Sequence, residues 1–295
     1  MPAPDTIRPR RSVLYVPASN ARAIAKLPQL RCDAAIFDLE DAVAPADKAA
    51  AREALRAHFS SAGPARFERV IRINPLSSEW GAEDLLAACA CRPDAVLVPK
   101  VQAPRDIQDI DDALDQADAD LAIWAMIETP RAVLNLGPLA ELGKDGAARL
   151  KCFVSGTNDL AKETGVAVTP DRRYLAPWLS QIVLAARAGR LDALDGPFND
   201  FGDAAAFAAQ CREAAAMGFD GKTLIHPAQV EEANRAFAPS AEAIAEAAKI
   251  RTAFALPENA GKGVISIDGR MVERLHLEQA ERLLARAALI EDGGT

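Results

Sequence analysis

Short apolar runs alternate with longer segments of helical spacing along most of the chain. Each run is rich in β-prone residues and has the length of a buried strand, whereas the longer segments repeat apolar residues at helical intervals. This alternation predicts parallel strands joined by crossover helices. The predicted strands are SVLYVP (12–17), AAIFDL (34–39), RVIRIN (69–74), AVLVPK (95–100), the run that opens LAIWAMIETP (121–130), KCFVS (151–155), LDALDG (191–196) and GKTLI (221–225).

Eight such units predict an α/β fold of the closed (β/α)8 type, the TIM barrel. The alternative is an open doubly wound sheet, which in its nucleotide-binding form carries a glycine-rich turn after the first strand. Here that turn reads PASN, and the chain contains no P-loop sequence. We therefore predict that residues 1–239 form a catalytic barrel.

The chain continues beyond the eighth unit as an extension, residues 240–295. We predict that it acts as a lid, because a hinged segment of this kind can cover an active site or dock on a neighbouring subunit. Its predicted parts are an alanine-rich helix (240–256), a glycine-bearing hinge (257–263), a hairpin around Asp268-Gly269 and a closing amphipathic helix (275–290).

Composition narrows the class of protein. Half of the residues are hydrophobic, enough for a large core, and the formal net charge of −8 argues against nucleic acid as the main partner. We expect no membrane span, because no apolar run approaches the roughly 20 residues that one needs. The N-terminus MPAPDTIRPRR lacks the apolar segment of a secretory signal. Five scattered cysteines predict free, mostly buried thiols in a reducing cytoplasm.

Polar residues follow almost every predicted strand. In a (β/α)8 barrel the chemistry lies at the carboxyl ends of the strands, so these residues are expected to share one rim. They are Ser19, Asn20, Asp38, Glu40, Asp41, Arg72, Asn74, Lys100, Glu128, Asp159, Asp195 and His226.

Glu128 ends the fifth apolar run, where a carboxylate is costly unless it is paired. It is either a structural charge, at a helix N-terminus or beside an arginine, or a metal ligand. Asp159 follows the adjacent sixth strand and is its most natural partner. Such an oxygen-rich set suits Mg²⁺, which takes one or two carboxylates plus water and substrate oxygens, better than zinc.

The remaining charged rim residues have two interpretations each. Asp38, Glu40 and Asp41, with Lys100, could hold the water ligands of the metal, or the acids could belong to the start of the following helix. Arg72 suits a substrate carboxylate, because its planar guanidinium binds one bidentately, or it pairs with a rim acid.

Nine motifs, in order and spacing, resemble the citrate lyase β-subunit-like (CitE-like) family, which belongs with the malyl-CoA and citramalyl-CoA lyases of the HpcH/HpaI aldolase/citrate lyase superfamily. The match extends from about Arg11 to the C-terminus. The resemblance implies a homotrimeric (β/α)8 barrel with Mg²⁺ and an acyl-CoA thioester or keto-acid substrate. The motifs are RSVLYVPASN, IFDLEDAVAPADK, VIRINPL, VLVPKV, AMIETP, SGTNDLA, LDGPFND, GKTLIHPAQV and SIDGRMVE.

The resemblance also implies residue roles. Glu128 and Asp159 would bind the metal, Arg72 would bind the carboxylate end of the substrate, and the extension of one subunit would cap the site of the next. Other residues implied at the substrate site, CoA included, are Tyr15, Arg22, Lys26, Ile225 and His226. Relatives usually carry an aspartate acid/base after Met-Val in the capping segment. Here that position is Glu273, one methylene longer, and Asp268 lies close by.

The expected reaction is reversible aldol-type cleavage of a 3-hydroxyacyl-CoA, such as citryl-, malyl- or citramalyl-CoA, by an oxo-acid-lyase. Glu273 or Asp268 would move the proton at the α-carbon. Three alternatives stay open. They are a metal-dependent aldolase acting on free 2-keto acids, a Schiff-base aldolase using Lys100 or Lys222, and a barrel that binds acyl-CoA without catalysis.

Overall fold

A computed structural model describes residues 8–145 and 148–292. Its main body is a closed barrel of eight strands in chain order, each parallel to its neighbours, which confirms the predicted fold. The first seven residues of the N-terminus, where no secretory signal is expected, lie outside the described part. The barrel strands are β1 Ser12–Pro17, β2 Ala34–Asp38, β3 Glu68–Arg72, β4 Ala95–Val98, β5 Ala122–Ile127, β6 Leu150–Ser155, β7 Asp192–Asp195 and β8 Gly221–Leu224.

Helices follow the strands and cover the barrel. One of them, Thr157–Thr164, was not predicted, because its opening residues Thr-Asn-Asp have the composition of a loop. The barrel helices are α1 Ala21–Lys26, α2 Lys48–Ser61, α3 Gly81–Cys91, α4 Pro104–Gln116, α5 Pro130–Leu134, α6 Leu136–Glu141, α7 Thr157–Thr164, α8 Ala176–Gly189, α9 Ala204–Met217 and α10 Val230–Ala236.

Strand side chains alternate between two buried layers. One set fills the inside of the barrel, where Trp124 is the largest fully buried side chain. The other set packs with the helices, as Leu14 and Val16 do from β1. Because successive residues of a strand point to opposite faces, this alternation decides which strand-end residues face the barrel axis and which face the helices.

The amino end of the barrel is closed by one arginine. Arg10 donates from Nε and Nη2 to the two carboxylate oxygens of Glu68, at 2.7 and 2.8 Å, and from Nη1 to Asp192. Its guanidinium also lies over the ring of Trp124, 4.8 Å from the centroid. Glu68 and Asp192 begin β3 and β7, so this arginine ties opposite strands together beneath the core.

The chain divides into two compact units, residues 10–237 and a second unit formed by residues 8–9 and the chain from Ala238 onward. The described part of the second unit contains two helices and an antiparallel hairpin, in which Arg270 pairs with Ile267. Its elements are α11 Ala241–Ala255, β9 Val264–Ile267, β10 Arg270–Glu273 and α12 Arg274–Asp292.

All five cysteines are free, and Cys32, Cys152 and Cys211 are buried, as expected. Within residues 8–145 and 148–292, none of the helices is long and apolar enough to cross a bilayer.

Candidate active site

A cavity of about 390 Å³ opens at the carboxyl ends of the barrel strands. It contains most of the charged residues predicted for this rim. It is lined by Tyr15, Pro17, Asp38, Asp41, Ala42, Arg72, Met126, Glu128, Gly156, Thr157, Asn158, Asp159, Pro197 and Ile225.

Arg72 lies in the wall of this cavity, and its fork is already paired within the chain. Nε and Nη2 donate to the two oxygens of Asp38, at 2.7 and 2.6 Å, and Cζ lies 4.9 Å from the ring centroid of Tyr15. The bidentate bond predicted for a substrate carboxylate is therefore made by Asp38. The third nitrogen, Nη1, lies 2.8 Å from Glu40 and 3.8 Å from the sulfur of Met126.

Glu40 is buried beside Arg72 but is not fully satisfied. Its Oε2 makes no hydrogen bond with any described residue, although Nη1 of Arg72 is near. Burial raises the pKa of Glu40 to about 8; the charge of Arg72 opposes the rise and nearby carboxylates, Asp41 foremost, add to it. At Glu40, burial thus outweighs the favourable charge of Arg72.

The acids of the DLED segment do not start a helix. Helix α2 begins only at Lys48, whose Nζ donates to the carbonyls of Leu39 and Glu40 at 2.8 and 3.0 Å. Asp38 instead accepts the N–H groups of Glu40 and Ala42 in a tight turn. This turn places Asp38 and Asp41 in the cavity lining, which disfavours the interpretation that the acids belong to a helix start.

Glu128 and Asp159 are brought together by Lys100. The N–H of Lys100 donates to Oε1 of Glu128 at 2.7 Å, and its ammonium lies 2.9 Å from Oδ2 of Asp159 and 3.5 Å from Oε1 of Glu128. Burial raises the pKa of Glu128, Lys100 opposes the rise, and the charge of Asp159 adds to it. The two carboxylates predicted as a pair therefore do share one cation.

Gly156 and helix α7 determine where the side chains of Glu128 and Asp159 lie. A Cβ at Gly156 would lie 2.3 Å from Cβ and 2.6 Å from Oε2 of Glu128, so only glycine lets the chain between β6 and α7 pass this close. Asp159 lies in the first turn of α7. Glu128 Oε2 and Asp159 Oδ1 accept no hydrogen bond from any described residue, although both side chains line the cavity.

The model of the family described as HpcH/HpaI aldolase/citrate lyase matches residues 11–227, a range that includes all eight barrel strands. The chain belongs to this family. It is 43% identical to a (3S)-malyl-CoA thioesterase of Cereibacter sphaeroides over 96% of both chains, and 31% identical to the mitochondrial citramalyl-CoA lyase of Homo sapiens over 96% of this chain and 87% of that one. A solved structure of CitE from Mycobacterium tuberculosis, in complex with magnesium, acetoacetate and coenzyme A, is similar with a TM-score of 0.74 at 30% identity, over 94% of this chain and 97% of that chain.

As a member of the HpcH/HpaI family, the chain offers a donor set that fits Mg²⁺. Among residues 8–145 and 148–292, no three His, Cys, Asp or Glu side chains form a group that could hold a metal ion. Glu128 and Asp159 supply two carboxylates with one unpaired oxygen each, beside a cavity with room for water and substrate. Mg²⁺ takes such a set readily, because it keeps several waters and needs few protein ligands.

Residue Gln229, which the sequence reasoning missed, holds the loop after β8. Its Oε1 accepts the N–H groups of Ile225 and His226, at 3.0 and 3.2 Å, and its Nε2 donates to the carbonyl of Phe198 at 3.0 Å. Ile225 thereby reaches the cavity, whereas the ring of His226 stacks on Phe201 and is not among the lining residues. The glutamine three residues after His226, a capping-box spacing, was the available signal.

Asp195, grouped by sequence with the rim, lies outside the cavity. Leu194 points into the barrel, so Asp195 faces the helices, where it pairs with Lys222 at 2.6 Å and with Arg172 at 2.8 Å. Lys222 is fully buried in this network, and burial lowers its pKa despite Asp195. A substrate in the cavity does not reach it, which disfavours a Schiff base at Lys222.

Lys100 is a poor Schiff-base candidate for a different reason. Burial acts to lower the pKa of Lys100, but its hydrogen bond to Asp159 and the charge of Glu128 outweigh burial and raise the pKa. A Schiff-base lysine needs the opposite shift, because only the neutral amine is a nucleophile.

Other predicted residues lie at the periphery of the site or in the second unit. Arg22 and Lys26 are exposed on α1 and make no ion pair with the described residues. In the second unit, Asp268 pairs with Lys249, whereas the carboxylate of Glu273 has no side-chain partner within the described chain. Of the two acids proposed for proton transfer, Glu273 is the unengaged one.

Two further polar rim residues have structural roles. Asn20 accepts the N–H of Ala23 and so caps α1. Asn74 donates to the carbonyl of Leu39 at 2.9 Å and to Asp84, which also pairs with Arg52 at 3.0 Å.

Proposed function

We propose that this protein is a Mg²⁺-dependent carbon–carbon lyase that acts on a 3-hydroxyacyl-CoA such as malyl-, citramalyl- or citryl-CoA. The observation that supports it best is the convergence of Glu128, Asp159 and the Arg72 guanidinium on one cavity. The relatives include a citramalyl-CoA lyase and a citrate lyase subunit beta, and the similar CitE structure is a complex with magnesium, acetoacetate and coenzyme A.

Glu128 and Asp159 would hold the metal, which when bound would polarise the oxygen at C3 of the substrate and offset its carboxylate charge. Arg72 would stabilise negative charge on the thioester oxygen through Nη1, which makes no bond to Asp38, because the two bonds to Asp38 fix the guanidinium in the cavity lining. Asp38, Glu40 and Asp41 would orient water around the metal.

The reaction needs two proton movements. The C3 hydroxyl gives its proton to solvent water in the cavity as the C2–C3 bond breaks, and the bonding electrons pass to C2 as a thioester enolate. C2 then gains a proton, giving an acyl-CoA and a 2-oxo acid. We assign the proton at C2 to Glu273, which would come from the second unit of a neighbouring subunit in a homotrimer. Arg22 and Lys26 would contact the phosphates of CoA.

Hydrolysis of the thioester is the second candidate reaction. It is favoured by the 43% identity to a (3S)-malyl-CoA thioesterase over 96% of both chains, against about 30% for the lyases. The same cavity would bind the same class of substrate, but water would attack the thioester carbon and release free CoA and a hydroxy acid. The longer side chain at Glu273 is where the two reactions could diverge, since catalytic groups act within narrow distances.

The test is a product assay with malyl-, citramalyl- and citryl-CoA. Lyase activity gives glyoxylate, pyruvate or oxaloacetate with no free thiol, whereas hydrolysis gives a free CoA thiol with no oxo acid. Either product should disappear in excess EDTA and return with Mg²⁺. Turnover that persists in EDTA contradicts the metal assignment, turnover of free hydroxy or keto acids supports an aldolase, and tight binding without turnover supports a non-catalytic barrel.

A further inference from the structure

We propose that Lys100 is a built-in competitor of the divalent metal, which keeps metal binding weak until an anionic substrate arrives. This inference rests on the proposed function, because it concerns the same carboxylate pair, and it adds an order of binding to that site.

One residue contacts both carboxylates. The backbone N–H and the ammonium of Lys100 both approach Oε1 of Glu128, and the ammonium also approaches Oδ2 of Asp159. The side chain of Glu128 is 1% exposed, so its negative charge has little access to solvent. Lys100 therefore supplies the charge compensation that the pair needs when no metal is present.

The backbone conformation at Lys100 supports a functional role for its positive charge. Its φ is +53°, in the left-handed region that residues other than glycine and asparagine rarely adopt. Glycine would occupy this position with less strain. A lysine held there by its own N–H bond to Glu128 keeps a positive charge against Glu128 and Asp159, two residues that line the cavity.

The charges show why this weakens metal binding. The pair carries −2, and Lys100 reduces it to −1. A divalent cation then brings the local sum to +1, which is unfavourable alone but attracts a substrate carboxylate. Without Lys100 the same metal brings the local sum of charges to zero. The metal then binds more tightly, and the substrate carboxylate is attracted less strongly. Metal and substrate should thus bind cooperatively, with equal coupling in either direction.

The variant Lys100→Met tests this, because it removes the charge but keeps the chain length and the backbone N–H. Isothermal titration of the EDTA-stripped full-length protein with Mg²⁺ alone should show affinity at least about tenfold tighter than in the wild type, since unit charges this close interact by several kcal/mol even at an effective dielectric constant of 20. Saturating pyruvate, as a 2-oxo-acid probe, should tighten Mg²⁺ binding in the wild type and do so less in the variant.

A second readout does not depend on binding heat. In EDTA the melting temperature of Lys100→Met should fall below that of the wild type, because Glu128 and Asp159 then repel each other without compensation, and Mg²⁺ should restore it. Lys100→Arg, which keeps the charge, should behave as the wild type in both assays. Lys162→Met removes an exposed charge from α7 and should change neither.

The outcomes separate the two proposals. Equal Mg²⁺ affinity in the wild type and Lys100→Met, with binding abolished by Glu128→Gln, overturns the role of Lys100 and leaves the proposed function standing. Binding of Mg²⁺ by Lys100→Met that is tighter than by the wild type supports the competitor role. Failure of all variants to bind Mg²⁺, even with pyruvate, overturns the metal site and this inference with it.

Discussion

The two ends of the barrel use the same ingredients in different ways. At the amino end Arg10 lies over Trp124 and donates to Glu68 and Asp192. At the carboxyl end Arg72 lies over Tyr15 and meets Asp38 and Glu40.

What differs is how completely the charges are matched. The carboxylate oxygens of Glu68 are both taken by Arg10, whereas Oε2 of Glu40 has no hydrogen-bond partner within the described chain. The carboxyl end also carries Glu128 and Asp159, whose ion pairs in the described part of the chain are both with Lys100. The matched cluster at the amino end closes the barrel and stabilises the fold. An undermatched cluster beside a cavity can take up a cation and an anionic substrate, so the second end is where chemistry is expected.

Removing the carboxylate pair should give the largest effect on activity. Glu128→Gln or Asp159→Asn should lower kcat/KM by about 10³-fold, because a bound metal supplies several kcal/mol of transition-state stabilisation. Glu128→Gln should not lower the free energy of unfolding in EDTA, since it replaces a buried carboxylate whose pKa burial has raised. Steady-state kinetics and urea denaturation measure the two quantities. Near-normal kcat/KM in either variant would remove the pair from the mechanism.

Breaking the amino-end cluster should give the largest effect on stability. Arg10→Met leaves Glu68 buried and unpaired, and such a loss costs about 3–5 kcal/mol of unfolding free energy. The kcat of the folded fraction should be unchanged, because the cluster closes the opposite end of the barrel. Urea denaturation with active-site titration measures both. A drop in kcat with little loss of stability would reverse the assignment of the two ends.

The corresponding change at the carboxyl end should act on activity instead. Arg72→Lys keeps a positive charge but loses the bidentate bond to Asp38, so we expect kcat/KM to fall about 10²-fold, the scale of one lost oxyanion donor. The free energy of unfolding should change less than in Arg10→Lys, because solvent in the cavity can hydrate the released acid. Urea denaturation of Arg72→Lys and Arg10→Lys measures this difference. Equal losses of unfolding free energy in the two variants would contradict the prediction.

Glu40 should give the smallest and most pH-specific effect. Because the pKa of Glu40 is raised from 4.5 to about 8, the folded state binds more protons than the unfolded state between these values. The free energy of unfolding therefore falls as pH rises through that window. Glu40→Gln should flatten this slope, measured by urea denaturation from pH 5 to pH 9. Glu79→Gln, an exposed control in the β3–α3 loop, should leave it unchanged. An unaltered slope in Glu40→Gln would mean that Glu40 is ionised throughout.

The fold could be predicted from the sequence because each strand is a continuous apolar run between turn residues. The strand bounds differ by only a few residues from those predicted, and the helices Ala241–Ala255 and Arg274–Asp292 lie where helices over 240–256 and 275–290 are predicted. Helix α7 was missed, because Gly156, Thr157 and Asn158 read as a loop although they start a helix.

The candidate site could be predicted only in part. Both faces of these strands are buried, so the apolar pattern does not tell which residues face the barrel axis. Asp38 and Asp195 therefore looked equivalent, although one lines the cavity and the other pairs with Lys222 behind the barrel. The positive φ that turns Lys100 between Glu128 and Asp159 likewise leaves no sequence signal.

The most direct test of the account is a crystal of the full-length protein soaked with Mn²⁺ and pyruvate, examined by anomalous scattering. We predict one strong anomalous peak coordinated by Oε2 of Glu128 and an oxygen of Asp159, with the pyruvate carboxylate beside it and Arg72 within reach. A fully occupied peak elsewhere, or none at these carboxylates at saturating Mn²⁺, would contradict it.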